Sequence, residues 1–161
     1  MLSTIYSPLK PAAAVLTGRF VEFDQTPFVP GGAAAANGLL QKGFLYVPAV
    51  CQDAQAQPCR LHVFLHGCLQ SAEMLGDTFY RNVGVNEWAD SNRVVVLYPQ
   101  AHAVRVADFP VPKLTDLFNV NPNGCWNWRG YAYDDRYLFK DGVQIAALWG
   151  MIQTITGQAN R

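Results

Sequence analysis

The residues best placed to do chemistry are His66, Gly67 and Cys68, at the end of the apolar run Arg60-Leu61-His62-Val63-Phe64-Leu65. Leu61, Val63 and Leu65 alternate with His62, Phe64 and His66, so the two sets fall on opposite faces of a strand. Gly67 then permits a turn that a side chain would hinder. Backbone N–H groups in such a turn can face the oxygen that gains negative charge during acyl transfer. An ordinary turn closing a strand has the same residues, and the triplet by itself leaves both readings open.

The other groups that carry chemistry are sparse. The serines are Ser3, Ser7, Ser71 and Ser91, and none has the flanking glycines of a Gly-x-Ser-x-Gly nucleophile elbow. His62 reads as a packed strand residue. His66 sits on the turn itself, and His102 sits in a loop with no Asp at motif spacing. Asp134, Asp135 and Asp141 read as turn and cap residues, while Asp77 and Tyr80 are candidates to support the His-Gly-Cys loop. The four cysteines, Cys51, Cys59, Cys68 and Cys125, show no metal-binding spacing. Their even number suggests two disulfides and an oxidising compartment; four reduced thiols in a cytosolic protein is the alternative. By the chain-entropy model a Cys51–Cys59 bridge stabilises by roughly 2.5 kcal/mol and a Cys68–Cys125 bridge by about 4 kcal/mol. No metal or cofactor is expected.

These residues need elements to position them. Residues 2–6 suit a first helical turn and residues 19–23 a short strand, with Pro- and Gly-rich loop between 24 and 42. Residues 43–48 form a strand that pairs with residues 61–65 as an antiparallel hairpin, the loop between Cys51 and Cys59 at its turn. Ser71 can cap a helix, and an imperfect apolar stripe at Val83, Val85, Trp88 and Ala89 suits a crossover helix over residues 80–91. The unbroken run Val94-Val95-Val96-Leu97-Tyr98 before Pro99 is the pattern of a parallel strand covered on both faces. Residues 100–137 lack periodicity but hold four Tyr or Trp side chains between 126 and 133. The spacing of Ile145, Leu148, Ile152 and Ile155 predicts a helix over 140–156, capped by Asp141 with Gln144 three residues on and stopped by Gly157.

Strand hairpin, crossover helix, parallel strand and second helix follow the opening order of an α/β-hydrolase. The fold expected is therefore α/β: a partial α/β-hydrolase over residues 43–161, lacking the half that carries the elbow, preceded by an irregular segment over 1–42. Half of the 161 residues are apolar, enough for a core, and 12 basic residues balance 12 acidic ones. That balance gives no electrostatic footprint for nucleic acid or an anionic membrane, and no apolar run reaches the roughly 18 residues of a membrane span. The N-terminus lacks the basic start and apolar segment of a signal peptide. Export without a signal implies that the chain is the tail of something longer.

Four stretches then appear in order: His66-Gly67-Cys68-Leu69-Gln70, Asn86-Glu87-Trp88-Ala89-Asp90, Val96-Leu97-Tyr98-Pro99-Gln100, and Asn121-Pro122-Asn123-Gly124-Cys125-Trp126-Asn127-Trp128. Together they resemble the polyhydroxybutyrate depolymerase family of serine esterases, with feruloyl-esterase-like relatives, over roughly residues 43–155. The N-terminal segment and the final helix look like the C-terminal half of that family's circularly permuted form. The resemblance implies a secreted enzyme, extracellular or periplasmic, that hydrolyses polyhydroxyalkanoate or a similar ester. It gives Cys68, next to Gly67, the oxyanion-hole position through its backbone N–H. It gives Cys125 the bridge to that loop, and Trp126 and Trp128 the contact with polyester. No residue matches the Ser-Asp-His triad, so the partner implied is a missing N-terminal half. A non-catalytic module that binds polyester or a partner chain, and a truncated reading frame without an independent fold, are the competing expectations.

Overall fold

The structure, a computed structural model, describes residues 2–53 and 57–157. Residues 54–56, in the polar loop between Cys51 and Cys59, lie outside the described residues, as do Met1 and 158–161. Four strands form one sheet: β1 (Arg19–Asp24), β2 (Lys42–Val47), β3 (Arg60–Val63) and β4 (Val94–Tyr98). Five helices accompany it: α1 (Leu2–Ile5), α2 (Ala72–Leu75), α3 (Thr78–Asn82), α4 (Asn86–Ser91) and α5 (Val143–Ile155). The strand order is β1-β2-β4-β3.

β4 has no polar side chain before Tyr98, and the sheet uses this by placing it between two neighbours. It pairs antiparallel with β2, Tyr46 opposite Val96, and parallel with β3, His62 opposite Val96. Its side chains feed two cores. Val94, Val96 and Tyr98 pack with Phe44, Tyr46 and Tyr80 under α3 and α4. Leu97 packs with Leu39, and with Ala147 and Met151 of α5, on the other face. Leu61 and Val63 join that second core and Phe64 the first, as the alternation requires.

The expected hairpin is corrected in one respect. β2 and β3 do run in opposite directions, but β4 lies between them, because a strand apolar on both faces is buried only with partners on both edges. The antiparallel partner of β2 on its other edge is β1, paired from Arg19↔Val47 to Asp24↔Lys42. The short strand expected over residues 19–23 is thus an edge strand of the sheet. The stripe over 80–91 is two helices rather than one: Gly84, with φ of +77°, separates α3 from α4.

α5 begins at Val143, later than expected, and its capping differs. Asp141 forms an exposed ion pair with Arg136 at 3.0 Å. The cap comes from Asp134, whose Oδ2 accepts the Val143 N–H at 3.0 Å. Gln144 is buried and donates through Nε2 to the carbonyls of Asn37 and Gly38 and to the Tyr131 hydroxyl. Gly157 closes the helix at φ of +69°, as expected.

Asp134→Ala should therefore lower stability by about 1 kcal/mol, the usual cost of losing a cap, whereas Asp141→Ala should leave the urea midpoint unchanged. Equal effects in chemical denaturation would remove Asp134 as the cap.

Candidate oxyanion site

Parallel pairing of β3 with β4 brings the loops that follow them together at one end of the sheet, where open α/β sheets bind ligands. Ladder bonding continues one residue past β3, with Phe64 N–H donating to Leu97 O at 2.9 Å. His66 then locks the two loops. Its Nε2 accepts the Ala101 N–H at 3.0 Å, so Nδ1 carries the proton and donates to Gly67 O at 2.7 Å. The ring is buried, and desolvation pushes its pKa below the usual histidine value. With Nε2 accepting and Nδ1 donating, the ring is neutral and ties the two loops together.

The next residues are tied down individually. Gln70 Oε1 accepts the Gly67 N–H at 2.9 Å. Leu69 N–H donates to Asn123 O at 2.7 Å, and Trp126 Nε1–H donates to His66 O at 3.0 Å. A disulfide joins Cys68 to Cys125, with Cα atoms 4.2 Å apart. A second joins Cys51 to Cys59, and no free cysteine is left. Asn121 clasps Cys125: its Oδ1 accepts the Cys125 N–H at 3.2 Å and its Nδ2 donates to the Cys125 carbonyl at 2.7 Å. Tyr131 donates to that same carbonyl at 2.7 Å, and burial pushes its pKa up to about 12, which keeps it a donor.

Of the four N–H groups from Gly67 to Gln70, one is left over. Among the described residues the Cys68 N–H meets no acceptor, and Cys68 is exposed. Gly67 acts differently from expectation. The left-handed position of the turn is Leu69, at φ of +61°, and not Gly67. An added Cβ at Gly67 would lie 3.0 Å from Gln70 Oε1, the acceptor of its own N–H, so the Gln70 side chain would have to shift by a few tenths of an ångström.

The two tryptophans divide. Trp126 is half-buried, braced on His66 with ring centroids 5.4 Å apart. Trp128 is 67% exposed. Asp77 pairs with Arg81 at the surface, and Tyr80 stacks on Phe44 inside the core. His62 Nδ1 lies 3.1 Å from the Tyr6 hydroxyl. No histidine ring bonds to a serine among the described residues. The carboxylates absent from the sequence neighbourhood of His102 come from elsewhere: Nδ1 is 2.8 Å from Glu73 Oε2, and Nε2 is 3.2 Å from Asp108 Oδ2. Asp108 is six residues away and Glu73 comes from α2, so no local spacing could show the pair. Among the described residues no cluster of His, Cys, Asp or Glu is placed to hold a metal ion, and no helix is long and apolar enough to cross a membrane.

Sheet and site define a mixed α/β protein with an open four-stranded sheet and a disulfide-braced loop at the ends of its parallel strands. The chain is homologous to the polyhydroxybutyrate depolymerases along almost all of its own length. It is 39% identical, over 96% of its residues, to a polyhydroxybutyrate depolymerase of Talaromyces funiculosus, and 34% identical, over 97%, to a poly(3-hydroxybutyrate) depolymerase of Delftia acidovorans. The crystal structure of PHB depolymerase from Penicillium funiculosum superposes with a TM-score of 0.76 at 37% identity over 98% of the chain. A variant PHB depolymerase in complex with an R3HB trimer superposes with a TM-score of 0.77. The chain spans 43% and 28% of the two curated relatives and 46% of the crystallised chains. No family model matches.

Cys68→Ala and Cys125→Ala should each destabilise by about 2–5 kcal/mol, since each opens a closure of 57 residues. The double variant should be no worse than either single, because all three lack the same bridge. Additive losses in thermal denaturation would dissolve the pairing.

Proposed function

We propose that this chain is the oxyanion-loop half of a secreted serine esterase that cleaves poly-3-hydroxybutyrate or a similar polyhydroxyalkanoate. The observation that carries the reading is the unbonded N–H of Cys68, an exposed residue on a loop fixed by a disulfide and by the bonds of its neighbours. A nucleophilic serine attacking an ester carbonyl drives negative charge onto the carbonyl oxygen. A donor already aimed at that oxygen stabilises it at no reorganisation cost and is worth roughly 3 to 4 kcal/mol. Gly67 keeps its own N–H on Gln70. Trp128 offers a flat apolar surface with one N–H donor, suited to a polyester chain, while Trp126 holds the loop from behind.

The triad would come from polypeptide outside these 161 residues. Two features support a partner half of that kind. β3 is an edge strand, paired only with β4 among the described residues. Beside it in the fold, α5 leaves Ile145 and Trp149 exposed instead of burying its whole apolar stripe. Both disulfides support an oxidising compartment, extracellular or periplasmic. The names of the relatives supply the substrate class. The second reading, a non-catalytic module that binds polyester or a partner chain, draws on the lack of any serine bonded to a histidine among the described residues.

The chain alone should neither hydrolyse p-nitrophenyl esters above background nor take up a fluorophosphonate. In a complete enzyme containing this half, replacing the peptide bond between residues 67 and 68 with an ester removes the N–H and keeps the disulfide. kcat should fall by roughly 10²- to 10³-fold. Trp128→Ala should raise KM for a hydroxybutyrate oligomer with little change in kcat. Full activity of the backbone ester would eliminate the Cys68 donor, and stoichiometric labelling of the chain alone would expose a serine nucleophile within it.

A further inference from the structure

The Cys68–Cys125 bridge fixes the oxyanion loop at one point, and one point does not fix direction. A second tie is found on the far side of the same loops. We infer that His102 is a positioning residue for the oxyanion loop, joining Glu73 of α2 to Asp108 and so setting the angle at which the Cys68 N–H is held.

The connections close a ring. α2 begins four residues after Cys68, and Glu73 receives both the His102 ring, at 2.8 Å, and the Ala103 N–H, at 2.6 Å. The residue after Ala103, Val104, accepts the Asn121 N–H at 2.9 Å, and Asn121 clasps Cys125. Cys125 returns to Cys68 through the disulfide. Asp108 closes the other side of the ring nitrogen pair and also accepts the Arg105 N–H at 2.6 Å, which curls the loop onto His102. Both ring nitrogens of His102 face carboxylate oxygens. The side chains of His102, Glu73 and Asp108 are 12%, 20% and 21% exposed. No reacting group is touched, so the role is to position. It rests on the reading of Cys68 given above.

Amide hydrogen exchange in this chain tests the brace without any activity. His102→Ala should speed exchange at Leu69, whose N–H donates to Asn123 across the two loops, by about tenfold, the scale of a charge-assisted hydrogen bond. Amides of β4 should hold their protection. His102→Gln, which offers one neutral nitrogen, should exchange like the alanine variant, and His102→Lys, a cation between two carboxylates, should recover part of the protection. Unchanged Leu69 exchange in His102→Ala overturns the inference, as does protection in His102→Gln equal to the native chain. In a complete enzyme, His102→Ala should lower kcat with KM for a soluble ester unchanged, and His102→Lys should restore part of it. Faster Leu69 exchange with unaltered kcat would keep the brace and remove the catalytic reading of Cys68.

Discussion

The structure depends on the burial of one strand. β4 carries Val94, Val96, Leu97 and Tyr98 fully inside, on both faces of the sheet. Such a strand leaves no face for water, so helices must cover both sides and neighbours must take both edges. The parallel neighbour is β3, joined to β4 by the crossover through α2, α3 and α4. Parallel pairing then sends the loops after β3 and after β4 out of the same end. Every distance at the oxyanion loop follows from that placement, beginning with His66 on Ala101. The Cys51–Cys59 bridge, between the end of β2 and the start of β3, lies at the other end of the sheet.

The long connections hold without regular structure because buried amide side chains take the place of a ladder. Gln25 donates to the carbonyls of Leu40 and Gln100 and accepts the Gln100 N–H. Gln100 accepts the Ala72 N–H at the start of α2. Gln144 accepts the Asn127 N–H and reaches back to Asn37 and Gly38. A buried backbone group without a partner costs about as much as a lost hydrogen bond, so each of these side chains makes an irregular segment affordable. Asn86 does the same between Tyr80 O and the Tyr98 hydroxyl, inside the core. The irregular segments beside the Cys68 loop are thus held by neutral amides as well as by the disulfide and by the bonds of Glu73 and Asp108 to His102.

This explains which features were legible in the sequence. Period and apolarity are local, and they marked β4, the alternation along β3, and α5 with its glycine stop. The His-Gly-Cys loop was legible because a turn after an apolar strand is a local pattern. Adjacency was not, since nothing in residues 43–65 states that a strand thirty residues later will enter between them. The cap of α5 was misplaced for a similar reason. Asp141 has the right spacing, but Asp134 is delivered by the fold of the preceding loop, and Arg136 takes Asp141 away. Trp126 and Trp128, two apart, could not be told apart by spacing. Asn127 bends the chain between them by accepting the N–H groups of Gly130 and Tyr131, and only Trp126 is left facing the core.

The division between the two tryptophans bears on how the site could work. A platform for a polymer has to be exposed and must not be needed for the fold, whereas a loop that aims a donor must be immobile. Had one tryptophan served both ends, contact with substrate would have strained the loop that holds Cys68. Trp126 spends its indole N–H on His66 O and its ring on the His66 face, so it is committed to the loop. Trp128 forms no hydrogen bond among the described residues and packs on neither core. On the function proposed above, binding at Trp128 can change with the substrate while the geometry at Cys68 is kept, because only Trp126 is tied to the loop.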